Sequence, residues 1–107
     1  MTKHEELIQH LKGIRKVVIN ACHGGFSLSE QAESRYKELA GITDDDWWYR
    51  DVDRDDPYLV QVVREMGRDA NGRFAELKIV EIPADVEWGI EEYDGSEWVA
   101  EKHRTWS

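Results

Sequence analysis

Asn71-Gly72 divides this chain into two stretches of different apolar period, and that change limits the fold more than any other feature. Ahead of it, Asp56-Pro57 opens the clearest helix. Asp is a good N-cap and Pro suits the first helical position. Leu59, Val62, Val63 and Met66 then recur at helical spacing until Gly67 ends the run. Behind it the pattern becomes that of strands: Ala75 to Ile82, closed by Pro83, then Val86 to Tyr93 and Ser96 to His103. Asp94-Gly95 predicts a two-residue hairpin turn that pairs Ile90 with Val99, Glu91 with Trp98 and Glu87 with Lys102. Trp88, Ile90 and Val99 would share one face, and Trp98 and Ala100 the other. Both faces then carry apolar groups, so either the fold covers both or one is a contact surface, including one shared between copies of the chain.

Four further segments complete the reading. Thr2 to Ile14 reads as an amphipathic helix through Leu7, Leu11 and Ile14, and Lys16 to Asn20 as a short β-branched strand. After Gly24-Gly25, Ser27 and Glu30 form a capping box for a second helix with Leu28, Ala32, Tyr36 and Leu39 on one face and Gly41 just past its end. Residues 42–56 read as a loop or edge strand. The expected fold class is α/β (α+β), with three helices packed on a small mixed sheet and a C-terminal β-hairpin. The 107 residues form one expected domain, 1–107, with residues 1–15 as the N-terminal helix.

Charge narrows the function classes. The chain carries 14 Lys and Arg against 23 Asp and Glu, a formal net charge of -9, and residues 44–107 hold the excess. Such a field disfavours direct nucleic-acid binding and favours a basic partner, unless it serves solubility alone. No apolar run approaches the ~20 residues that span a bilayer, and the N-terminus lacks a leader-like apolar stretch, so no membrane association is expected. A single cysteine, Cys22, fits a reducing cytoplasm.

Candidate chemistry concentrates after the first strand. In Asn20-Ala-Cys-His-Gly-Gly-Phe-Ser27 a strand meets a Gly-Gly loop that opens a capped helix, an arrangement suited to an anion. Gly24, Gly25, Phe26 and Ser27 would hold a phosphate, and Asn20 would add a side-chain hydrogen bond. The plainer alternative is a tight turn. Trp47, Trp48 or Trp106 could stack on a base, with Arg50 or Arg104 neutralising charge. Equally, the Trp47-Trp48-Tyr49 group could fill the core. Cys22-His23 suggests a nucleophile and base, but adjacent residues on an extended chain point apart. Asp51 to Asp56 begins like a calcium loop, yet Asp56 stands where Gly is needed and Val62 where Glu is needed. His4 and His10 share no helix face. Hence no metal, no cofactor and no catalytic residue is expected.

Lys16-Val-Val-Ile-Asn-Ala-Cys-His-Gly-Gly-Phe-Ser-Leu-Ser29, Asn71-Gly-Arg-Phe-Ala-Glu-Leu-Lys-Ile-Val-Glu-Ile-Pro83 and the stretch from Glu91 to Trp106 resemble a family of small phage- and prophage-encoded proteins. The resemblance implies a bacterial host cytoplasm and an accessory, counter-defence setting, and it assigns no catalytic residue. The leading expectation is a non-enzymatic protein that captures a small anionic, nucleotide-like ligand. The alternative is an acidic inhibitor whose Asp44, Asp45, Asp46, Asp51 and Asp53 contact a basic surface of a host protein. A small Cys/His hydrolase is the third reading.

Overall fold

A computed structural model of the chain describes residues 13–44, 47 and 49–101. Strand β1 (Ile14–Asn20) leads through the glycine loop to helix α1 (Glu30–Ala40). A 3-10 turn (Tyr49–Asp51), helix α2 (Pro57–Met66) and a second 3-10 turn (Gly67–Ala70) follow, then strands β2 (Leu77–Pro83), β3 (Trp88–Tyr93) and β4 (Ser96–Glu101). The two α-helices are those expected around Tyr36 and Leu59. The helix expected over Thr2 to Ile14 lies outside the described residues except at its end, where Ile14 belongs to β1.

The sheet is not mixed. The strands form two separate antiparallel pairs, β1 with β2 and β3 with β4. What prevents a single sheet is the outer edge of β1. There the Val18 N–H donates to the Arg54 carbonyl at 2.8 Å and the Asn20 N–H to Glu97 Oε1 at 2.8 Å. A loop and a side chain therefore take the bonds that a third strand would need. β1 is buried at Val17, Val18, Ile19 and Asn20. Four consecutive buried residues mean that both faces are covered. Val18, opposite Ile79, joins the helical core with Leu59, Val62, Val63 and Tyr36. Val17 and Ile19 point the other way, and β4 packs beside this strand.

Local signals fix the helix ends, with one shift. Asp56 Oδ1 accepts the Tyr58 and Leu59 N–H groups, Pro57 takes the first turn, and Gly67 caps the end of α2. For α1 the N-cap is Ser29 rather than Ser27: Ser29 Oγ accepts the Ala32 N–H and donates to the Asp69 carbonyl. The Ser27 carbonyl is instead engaged by the Gly72 N–H, and Leu28 bridges to Asn71, which holds both residues extended. Asn71 thus belongs to a bridge rather than a turn. The turn lies one residue on, where the Ala75 N–H meets the Gly72 carbonyl.

The hairpin has the expected register, Ile90 opposite Val99 and Glu91 opposite Trp98; Lys102 lies outside the described residues. Asp94 and Gly95 have φ of 51° and 89°, the double positive φ of a tight hairpin turn. Trp88, Ile90 and Val99 are half-buried, whereas Tyr93 and Trp98 are 73% and 44% exposed. No described helix is long and apolar enough to cross a membrane.

Tyr36 joins the helices to the acidic segment. Its ring stacks on Trp47, with centroids 5.1 Å apart, and its hydroxyl donates to Asp56 Oδ2 at 2.8 Å. Burial first, then the Asp56 hydrogen bond and charge, push the phenol up to about 12. The folded state thus favours the protonated phenol. Its contribution is complete below the ordinary phenol value of about 10 and is lost as pH rises from there through about 12. Urea denaturation across this range should show stability falling steeply in the parent chain. Tyr36→Phe should be less stable at neutral pH by about 1–2 kcal/mol, with a flatter alkaline limb.

Candidate functional site

The loop after β1 is held by a side chain that sequence reasoning assigned to a ligand. Asn20 is fully buried. Its Nδ2 donates to the carbonyls of Cys22 at 2.7 Å and Gly95 at 2.8 Å, while Oδ1 accepts the Glu76 N–H at 2.8 Å. An amide has two donors and one acceptor oxygen, so nothing of Asn20 is left for a ligand. It clips the glycine loop to the hairpin tip and to the segment entering β2.

Close backbone approach completes the clip. A Cβ on Gly24 would overlap the Phe74 carbonyl oxygen, and one on Gly95 would overlap the His23 carbonyl oxygen. Glycine is required at both places for contact, not only for turning. Cys22 Sγ donates to the Phe74 carbonyl at 3.0 Å, and His23 is exposed and forms no hydrogen bond with it. The two residues are not arranged as nucleophile and base.

Beneath the loop lies a charged floor. Arg54 Nη1 and Nη2 reach Glu97 Oε1 and Oε2 at 2.5 and 2.8 Å, a two-point pair whose side chains are only 22% and 10% exposed. The Arg54 guanidinium also lies 3.6 Å from the centre of the Phe26 ring, so Phe26 covers the pair by a cation–π contact. Phe26 in turn packs on Tyr49, with centroids 6.0 Å apart.

These residues line an open cavity of about 580 Å³. It brings together five expected residues, Gly24, Gly25, Phe26, Ser27 and Arg50, with Tyr49, Arg54, Phe74, Glu92, Gly95 and Glu97. Phe74 is 64% exposed, with the Arg73 guanidinium 5.2 Å from the centre of its ring. The N–H groups of Gly24, Gly25 and Phe26 form no hydrogen bond among the described residues. Consecutive free N–H groups in a turn conformation are a recognised setting for an anion. The donors belong to the loop itself, because the helix start expected at Ser27 lies further on and is closed by Ser29. The cavity's ionic side chains, two Arg and two Glu, balance.

The other expected positions do not converge here. Trp47 stacks on Tyr36 at the edge of the core and does not line the cavity. Trp48, Arg104 and Trp106 lie outside the described residues, as do Asp45 and Asp46. Asp44, Asp51 and Asp53 are exposed. No group of three or more His, Cys, Asp or Glu with metal-binding geometry occurs among the described residues. Sequence reasoning missed Arg54, Glu97 and Phe74. A single Arg within Asp51-Val-Asp-Arg-Asp-Asp56 was the available signal for the first, but its partner is remote in sequence.

Comparison of the chain with protein-family models, with curated proteins and with solved structures found no match.

Truncating either member of the largely buried pair leaves the other charge desolvated, so Arg54→Met and Glu97→Met should each cost about 3 kcal/mol. The double variant should recover at least about 1 kcal/mol of the summed loss. A urea double-mutant cycle measures this directly, and strict additivity would exclude the coupling.

Proposed function

We propose that this chain is a binding protein that captures a small anionic, nucleotide-like ligand in the cavity between the glycine loop and the hairpin tip. One observation carries the reading: Gly24, Gly25 and Phe26, whose N–H groups form no hydrogen bond among the described residues, line the same cavity as Arg50 and the exposed Phe74. The loop would hold the anionic group, and Arg50 would add positive charge at the rim. Phe74, with Tyr49 nearby, would offer a face for a planar base. Arg54 acts from below: its charge is engaged by Glu97, so it positions Phe26 rather than neutralising the ligand. The resemblance to phage-encoded proteins gives such capture a setting, the removal of a nucleotide signal from the host cell.

A second reading has its own observation. Residues 87–101 contain six acids and no Lys or Arg, and the hairpin also exposes Tyr93 and Trp98. An acidic surface with exposed aromatics suits a basic host protein, with Asp44, Asp51 and Asp53 as further acidic contacts. Its complex would weaken steeply with ionic strength.

Calorimetry with the four ribonucleoside 5′-monophosphates and inorganic phosphate tests the first reading. At least one nucleotide should bind saturably and more tightly than phosphate alone. Arg50→Ala and Phe74→Ala should each weaken binding roughly tenfold, and Phe74→Ala, at a 64% exposed position, should leave the denaturation midpoint nearly unchanged. Native mass spectrometry of protein drawn gently from a bacterial lysate should show a retained adduct of nucleotide mass. Absence of heat and of adduct, with folded protein, would sink the ligand reading.

A further inference from the structure

A second concave surface lies at the other end of β1, and its charge is opposite to that of the chain. It has a volume of about 640 Å³ and runs between the start of β1 and one side of α2. Arg15, Lys16 and Arg64 bring three cations to it, and Asp55 is its only acid. Three cations against one acid leave a formal +2 in a chain whose total is -9.

The cations are not equivalent. Arg15 is held in place: it pairs with Asp55 at 3.1 Å and donates to the Ala84 carbonyl at 3.4 Å. Lys16 and Arg64 make no ion pair among the described residues. Lys16 stands directly across from Glu81 in the β1–β2 register, where a cross-strand pair would be expected, yet none forms. Ile14, Pro57, Val60 and Ala84 supply an apolar lining to the same surface. Unneutralised cations beside a concave apolar lining are the features that fix and bury a ligand with one charged end.

We propose that this surface is a second binding site, for a small amphipathic anion: a phosphate or carboxylate headgroup on an apolar body. Lys16 and Arg64 contact the headgroup, Arg15 adds its oriented charge, and the body rests on Ile14, Pro57 and Val60. The proposal is independent of the glycine-loop cavity, with which it shares no residue.

Amide NMR of the ¹⁵N-labelled full chain tests it, with phenyl phosphate, benzoate and inorganic phosphate as probes. At least one organic anion should give saturable shifts at Ile14 to Lys16, Val60 to Arg64 and Ala84. It should bind about tenfold more tightly than inorganic phosphate, because only it has a body to bury. The stronger of the two organic probes identifies the headgroup. The double variant Lys16→Met, Arg64→Gln should lose about tenfold or more in affinity, whereas Lys78→Met, an exposed β2 position outside both cavities, should leave that affinity unchanged. If the double variant does not fold, Arg64→Gln alone, on an exposed helix position, should still weaken binding roughly threefold. Shifts confined to residues 24–27, no saturable shift at all, or unchanged affinity in the folded variants would overturn the proposal.

Discussion

Glu97 makes the contact on which the arrangement of the other parts depends. One carboxylate oxygen receives both the Asn20 N–H and Arg54, and the other receives Arg54 alone. Removing a carboxylate from water costs several kcal/mol, recovered only when its lone pairs are well satisfied. Here a two-point guanidinium and a backbone donor satisfy them. The same contact closes the outer edge of β1 and draws β4 against it. It also anchors the segment carrying Arg54, whose carbonyl accepts the Val18 N–H. The bond directions at that edge are why the strands remain two pairs and do not fuse into one sheet.

The glycine loop depends on this arrangement at one remove. Carbonyl oxygens and side chains hold it: the Cys22 carbonyl receives Asn20, the Cys22 thiol reaches Phe74, and the His23 carbonyl lies against Gly95. Because carbonyls and the Cys22 thiol do the holding, the loop is anchored although the N–H groups of Gly24, Gly25 and Phe26 form no hydrogen bond among the described residues. A buried amide such as Asn20 is costly if any of its groups lacks a partner, and here every one has a partner. The anchorage of the loop and the binding proposed for it therefore draw on different atoms.

Legibility in the sequence followed the range of the deciding contact. α2 could be read from Asp56, Pro57 and Gly67 because cap, first turn and end are all local. The β3–β4 hairpin could be read from Asp94-Gly95 because a two-residue turn fixes its own register. The start of α1 could not. Ser27 and Ser29 are both competent caps, and the choice between them was made by Asn71 and Gly72, which hold residues 27 and 28 extended. Asn20 was legible as a polar residue at a strand end, but not as a buried clip, since its partners include residues 75 and 56 positions away. Arg54 and Glu97, 43 positions apart, each read as one more surface charge. Half of the candidate ligand set converged, the half on the loop and its facing segment. Trp47 found a partner in Tyr36 instead.

Net charge alone would argue against any anion site on this chain, and the distances involved show why that argument is too coarse. At physiological ionic strength exposed charges are screened over about 8 Å. Local charge then outweighs the total. The glycine-loop cavity is balanced by two Arg and two Glu, and the surface beside α2 is locally positive. Much of the acidity lies on the hairpin, where residues 87–101 carry six carboxylates without a basic residue among them. Under the proposed function, such a chain would repel nucleic-acid polymers, whose many phosphates meet the long-range field, yet admit a small anion to a concave site. The difference between polymer and small ligand is then set by how much of the acidic surface each must approach.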